Sequence, residues 1–270
     1  MGIGGDLMWT SLAKEVYKKH NKKVCFVQGK NIQCCDVWKN NPYISFKYDE
    51  NTCIKVNIGF KVLPERYSKT KWNVSQHTIL SRCKHFNYEF PEKKCYMYFT
   101  KEEESYIKGI VSKLPKDFIL IEPHAKTSWF KQKQYPLKKW QKIVDHVSKV
   151  CPVVQMSLPG KSLLKNAIDV SSKIRNFREA SLLVKYCKLF VSTEGGLMHA
   201  ANAVNKKCVI IFAPLFDPTF TTYDNVVDIW VKGEHYNCFR DGTCSSCIEL
   251  MNNHDEKMVM KTIIDTFHTI

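Results

Sequence analysis

From Phe118 to the C-terminus, short apolar runs alternate with stretches of helical periodicity, and this alternation limits the fold more than any other feature of the chain. The runs at 118–121, 153–156, 189–192, 209–212 and 227–230 are β-branched or aromatic-rich and too short for helices. Helical stretches stand at 137–150, 178–187, 196–204 and 256–267. In the first of these Trp140, Ile143, Val144 and Val147 recur at the spacing of one helix face. A repeated strand–helix order predicts a parallel sheet with helices on its faces.

The earlier part is less regular. Strands are expected at 24–28, 44–46 and 54–58, and helices at 7–19 and 102–114. Thr100 and Glu103 form a capping box for the second helix. Lys/Asn-rich connections run over 39–42 and 64–71, and the polar segment 88–94 contains Pro91. We place a lobe boundary within 113–117, which gives lobes 1–115 and 116–270, with the last helix packing back on the first. The expected architecture is α/β: two Rossmann-like lobes with a ligand cleft between them, at the C-terminal ends of the strands.

Composition narrows the ligand. A formal charge of +15 attracts anions such as nucleotides, phosphorylated lipids or acidic membrane surfaces. Nucleic acid is not expected as a partner: the lysines are dispersed rather than gathered on a face with interleaved aromatics. No apolar run approaches the roughly 20 residues that span a bilayer. No basic region followed by an apolar stretch opens the chain, and Asp6 stands where a myristoylation motif needs Ser or Thr. A cytoplasmic protein, peripheral at a membrane surface through its charge, is the expectation. Most of the twelve cysteines sit singly in apolar stretches, as Cys25, Cys187 and Cys208 do, and are expected as reduced core thiols.

Three segments could carry chemistry. Ser192-Thr193-Glu194-Gly195-Gly196-Leu197-Met198-His199 follows an apolar strand and opens a helix. Its glycines permit close backbone approach, and free amides at a helix start suit a diphosphate. As a generic glycine turn it is equally an ordinary corner with a packed histidine. Glu122-Pro123-His124-Ala125-Lys126-Thr127-Ser128 also follows a strand and precedes Trp129, Lys133, Tyr135-Pro136 and Trp140. It suits a phosphate or sugar pocket, or a solvated basic loop. Gly2-Ile3-Gly4-Gly5-Asp6-Leu7-Met8-Trp9-Thr10 places glycines before a helix and Asp6 near its start. That carboxylate fits a general base or an N-cap, and the cap is the commoner use.

Taken in order, these segments resemble glycosyltransferase family 9, the heptosyltransferases. Gly2 to Thr10 is similar to the family's early Gly-x-Gly-Asp, and Asn41-Pro42-Tyr43-Ile44 to its Asn-Pro-Tyr-Ile. Pro123-His124-Ala125, Lys133, Tyr135-Pro136 and Trp140 resemble its second-lobe loop and helix. Glu194 to Ala201 resembles its Asp-Thr-Gly-x-x-His-x-Ala-Ala, and Phe212-Ala213-Pro214-Leu215-Phe216-Asp217-Pro218 its late proline turn.

The resemblance implies a GT-B fold and inverting, metal-independent transfer of a sugar from a nucleotide-diphosphate donor to a glycan or glycolipid hydroxyl, with no required cofactor. Asp6 would be the general base. His124, Lys126, Thr127, Lys133, Glu194, Gly195, Gly196 and His199 would bind the donor, and Gly4, Gly5 and Trp9 the acceptor. Glu194 replaces the family's Asp and Gly195 its Thr, which leaves open a protein that binds a nucleotide sugar without turnover. A strand precedes the glycine turn in the family, whereas this chain opens with the turn, so a shortened first lobe is expected. Near the C-terminus, Cys238, Cys244, Cys247 and His254, with His235 close by, are candidates for a structural zinc, because Cys244-Ser245-Ser246-Cys247 has knuckle spacing. A loop of reduced thiols is the alternative.

Overall fold

The computed structural model describes residues 2–58, 77–89, 91–127, 130–158, 160–215, 217–233 and 243–270. The connection at 64–71, together with Ser128, Trp129, Phe216, His235 and Cys238, lies outside them. Two compact units emerge, Met1–Thr100 with Thr219–Tyr223, and Lys101–Pro218 with Asp224–Ile270.

In the first unit, helix α1 spans Ile3–His20 and buries Leu7, Met8, Trp9, Leu12, Ala13 and Val16. Lys18, Lys19 and His20 complement the carbonyl end of its dipole. Asn21, left-handed at φ 51°, ends the helix by donating its N–H to the Tyr17 carbonyl. Strand β1 (Lys23–Gln28) pairs antiparallel with β2 (Asn31–Ile32) and parallel with β3 (Cys53–Asn57). Helix α2 (Thr78–His85) packs on α1. Trp9, Phe26 and Trp38 form the aromatic centre, with Phe26 and Trp38 ring centroids 4.8 Å apart.

The strand expected at 44–46 shrinks to one bridge between Val24 and Ile44. The Ser45 hydroxyl donates to the Lys47 carbonyl at 2.6 Å and bends the backbone off the sheet edge. The glycine turn expected ahead of the first helix is also absent in that form. Gly4 and Gly5 lie inside the first turn of α1, and Gly2 is its N-cap.

The second unit begins with α3 (Lys101–Val111) and continues β4 (Ile119–Glu122), α4 (Leu137–Val147), β5 (Val153–Gln155), β6 (Ile168–Asp169), α5 (Phe177–Tyr186), β7 (Leu189–Thr193), α6 (Gly196–Ala203), β8 (Cys208–Phe212), β9 (Val226–Trp230), α7 (Ser245–Asn253) and α8 (Glu256–Thr269). Its sheet is all parallel, in the order β6-β5-β4-β7-β8-β9. Parallel strands are covered on both faces, so β7 and β8 are buried throughout. Ile119, Ile121, Val191, Val209 and Ile211 share one core with Trp140, Ile143 and Val144 of α4 and Val259 and Ile263 of α8.

Helix α3, which precedes the expected boundary, packs against α5 of this unit. Glu103 holds the buried Arg178 guanidinium with both oxygens, at 2.6 and 2.7 Å. The last helix, expected to return to the first lobe, packs on α4 and on β7 and β8 of its own unit. Among the described residues, no helix is long and apolar enough to cross a membrane.

Candidate functional site

Strands β4 and β7 are neighbours in the sheet but far apart in sequence, and the strand order reverses between them. At such a point the connections leave to opposite sides and open a crevice beyond the carboxyl ends of the strands. The register sets Glu122 opposite Ser192 at that edge. Two of the segments singled out from sequence therefore meet here: the loop after β4 and the turn into α6.

Gln134 shapes the loop after β4. Its Oε1 accepts the Ala125 N–H at 3.0 Å, and its Nε2 donates to the carbonyls of Pro123 and Tyr135 at 2.9 and 2.6 Å. His124, expected among the donor contacts, is placed as a strut. Its ring is buried, and Nε2 lies 2.9 Å from the Ser162 carbonyl, which ties the loop to the segment after β5. Lys126 is exposed and Thr127 half-buried on the same loop. Lys133 ends a 3-10 turn at Lys131–Lys133 and reaches the β7 side, where its ammonium forms a largely buried ion pair with the Glu194 carboxylate.

Helix α6 starts beside that pair. Gly195 is the N-cap and supplies no side chain to the first amides. The fold itself does not demand a glycine there: an added Cβ would meet the Thr193 carbonyl oxygen at 3.8 Å, an ordinary contact. The Glu194 N–H donates to the Ile211 carbonyl and fixes the turn on β8. Gly196 is half-buried at the first helical position, whereas His199 points into the protein and is buried. It supports the corner.

Sequence reasoning quoted Glu122 without giving it a role. Burial pushes its carboxyl up to about 8, with no charged neighbour contributing to the shift. The signal was a carboxylate closing the apolar run Ile119-Leu120-Ile121.

In the first unit, Asp6 lies in the first turn of α1 but does not cap it; the helix has no side-chain cap. Its Oδ2 accepts from the Cys35 thiol at 3.7 Å, and its carbonyl accepts the Trp38 indole N–H at 2.8 Å. Burial raises the Asp6 carboxyl above its usual range, opposed by the Arg82 charge and the Cys35 hydrogen bond. A half-buried carboxylate with raised proton affinity suits a general base.

The acceptor candidates beside it, Gly4, Gly5 and Trp9, lie within the helix packing. Trp9 is wholly buried, between Phe26 and Phe86 and under the Arg82 guanidinium 4.2 Å from its ring. Gly4 is buried within the helix, and the Gly5 carbonyl accepts Arg82 Nη1 at 2.6 Å. Helical spacing with Leu12 and Val16 carries Trp9 inward, so the indole is core.

The late cysteines also sit inside the fold. Cys244 is the N-cap of α7 and Cys247 lies within it, both buried. His254 is the C-cap, with Nδ1 3.2 Å from the Tyr135 hydroxyl. Among the described residues no three His, Cys, Asp or Glu side chains gather around a metal position. Cys25, Cys53, Cys83, Cys95, Cys151, Cys187 and Cys208 are buried free thiols, as expected.

Comparison with known proteins agrees with this architecture. The solved structure of a family 9 glycosyl transferase from Veillonella parvula superposes with a TM-score of 0.69 at 11% identity, covering 100% of this chain and 96% of that one. The Escherichia coli ADP-heptose lps heptosyltransferase II gives 0.66 at 13% identity, covering 100% and 97%. The E. coli heptosyltransferase WaaC with ADP gives 0.60 at 12% identity, covering 99% and 97%. The fold class is thus α/β and GT-B-like. No curated protein matches by sequence. Residues 36–248, a stretch that includes the β4 and β7 loops and begins after Asp6, match the model of glycosyltransferase family 9 (heptosyltransferase), and the chain belongs to that family.

Proposed function

We propose that this glycosyltransferase moves a heptose-type sugar, with inversion and without a metal, from an ADP-linked donor to a hydroxyl of a glycan or glycolipid. The observation that carries the reading is the Lys133–Glu194 pair beside the uncapped start of α6, at the point where the strand order reverses. The α6 amides and Lys133 present positive charge to a diphosphate, and that charge grows more favourable as the leaving group departs. Glu194 holds Lys133 in place and keeps an acceptor oxygen for ribose hydroxyls. Lys126 and Thr127 add contacts from the facing loop. The adenine nucleotide is suggested by the relatives, one described as an ADP-heptose enzyme and another holding ADP.

Asp6 is the base in this scheme. It takes the proton from the acceptor hydroxyl as that oxygen attacks the anomeric carbon. The bond from that carbon to the diphosphate oxygen breaks, and ADP leaves with the electron pair. Fixed positive donors opposite the departing oxygens are the physical reason a metal is dispensable. The late cysteines would add at most a structural zinc, which elemental analysis of the purified protein would report. We place the protein in the cytoplasm, held loosely at an anionic membrane by its charge of +15. Binding to anionic vesicles should vanish at high salt; binding that persists would oppose this placement.

A second reading, a nucleotide-sugar-binding protein without turnover, draws on Glu194 and Gly195 standing where the family has Asp and Thr. Incubation with ADP-heptose and a lipopolysaccharide-core acceptor separates the two. ADP release with a product of inverted anomeric configuration supports the enzyme. Saturable binding with no ADP release supports the binder.

A further inference from the structure

Asp6 has an immediate neighbour that the proposed mechanism leaves idle. The Cys35 thiol sits 3.7 Å from Asp6 Oδ2, half-buried, just before the 3-10 turn at Asp36–Trp38. That turn is anchored on the same residue of α1, because the Trp38 indole N–H donates to the Asp6 carbonyl at 2.8 Å. The direction of the sulfur contact is fixed by the surroundings. Burial, together with the Asp6 charge, pushes the thiol up to about 11. Sulfur therefore keeps its proton through the physiological range and offers it to the carboxylate.

We infer that Cys35 is a positioning residue for Asp6: its S–H grips Oδ2, fixes the rotamer of the carboxylate and stabilises the ionised form that accepts the acceptor's proton. The inference rests on the proposed role of Asp6 for its catalytic meaning, but not for its physical content.

Arg82, from α2, favours ionisation of Asp6, as the thiol does, while burial opposes it and is the largest effect. Arg82 Nη1 holds the Gly5 carbonyl at 2.6 Å. The thiol is the side-chain hydrogen-bond donor acting on the Asp6 carboxylate. Removing it takes away a bond made to the charged form, so the carboxyl should titrate at higher pH. A serine keeps a donor of the same polarity and should restore most of the effect. Cys34, the exposed neighbour, supplies a control.

The test uses the full chain carrying C35A, C35S or C34A, with the Asp6 carboxyl followed by carbon-13 NMR titration and assigned through D6N. The midpoint should move up in C35A, lie near wild type in C35S and stay put in C34A. Thermal unfolding checks that each variant is folded, and C35S serves alone if C35A is not. An Asp6 midpoint unmoved in folded C35A, or a C35S midpoint shifted as far as that of C35A, would overturn the inference. In turnover assays the acid limb should rise with C35A, giving a several-fold loss on its acid side that the conservative variant largely reverses. A merely structural cysteine would lower the whole profile without moving the limb. Should D6N retain turnover, the base reading fails, while the titration still decides whether Cys35 controls the carboxyl.

Discussion

The two carboxylates given work in this account, Asp6 in the first unit and Glu194 in the second, are held in opposite ways. Asp6 faces a neutral thiol, with Arg82 engaged on the Gly5 carbonyl, and burial raises its proton affinity. Glu194 is locked to the Lys133 ammonium. A base must gain a proton during the reaction, so raised affinity serves it. A carboxylate that orients a cation and ribose hydroxyls must stay ionised, so a paired cation serves it. Environment, not residue type, separates the two roles.

The largest test of that contrast removes the proton acceptor. Asp6→Asn should lower turnover by roughly 10²–10⁴-fold, the usual worth of a positioned general base, while ADP affinity measured by calorimetry is unchanged. Equal loss of both would make Asp6 structural and erase the contrast. Lys133→Ala should cost about 10²-fold in turnover, the scale of one donor to a developing anion, and weaken ADP binding as well. A double-mutant cycle with Glu194→Gln should show coupling, whereas additivity would mean the pair does not act as a unit.

Glu122 sharpens the comparison, since it sits beside the Glu194 turn with no charged group contributing to its shift. With its folded-state carboxyl at about 8, the folded protein holds a proton that the unfolded chain loses near the ordinary glutamate value. Stability is therefore full below that ordinary value, falls as pH rises through about 8, and levels off above it. Glu122→Gln should flatten this fall, read from unfolding midpoints across pH. A parallel fall in the variant would assign the effect elsewhere. The smallest effect is expected at Gly195→Ala. Stability should change by under about 0.5 kcal/mol, while ADP binds several-fold more weakly because the methyl crowds the uncapped start of α6. A large loss of stability with unchanged ADP binding would show that the glycine serves the fold.

Much of the second unit was legible in the sequence because its strands are buried on both faces. Leu189-Phe190-Val191 and Cys208-Val209-Ile210-Ile211-Phe212 read as unbroken apolar runs. Strand β6 escaped notice because it is two exposed residues long. Helix α2 was missed because His77 caps it, accepting from the Ile79 N–H, and because its buried positions include Arg82. Ser245 and Ser246, between two cysteines, open a helix.

The candidate site was legible where a motif coincided with a strand end: Lys133 and Glu194, 61 residues apart in sequence, form an ion pair there. Side-chain direction was not legible: His124, His199 and Trp9 turn inward, and only packing reveals that. Cys35 was invisible for the same reason, since no local pattern ties it to Asp6, 29 positions earlier.

The central claim is a donor site for an adenine nucleotide at the ends of β4 and β7. The most direct measurement is the unfolding temperature of wild type and Lys133→Ala with ADP, GDP, UDP and CMP, since a ligand of the folded state raises it by mass action. The account predicts a rise with ADP alone in wild type, largely lost in the variant. No rise with any nucleotide on folded protein, or an equal ADP rise in both proteins, would contradict it.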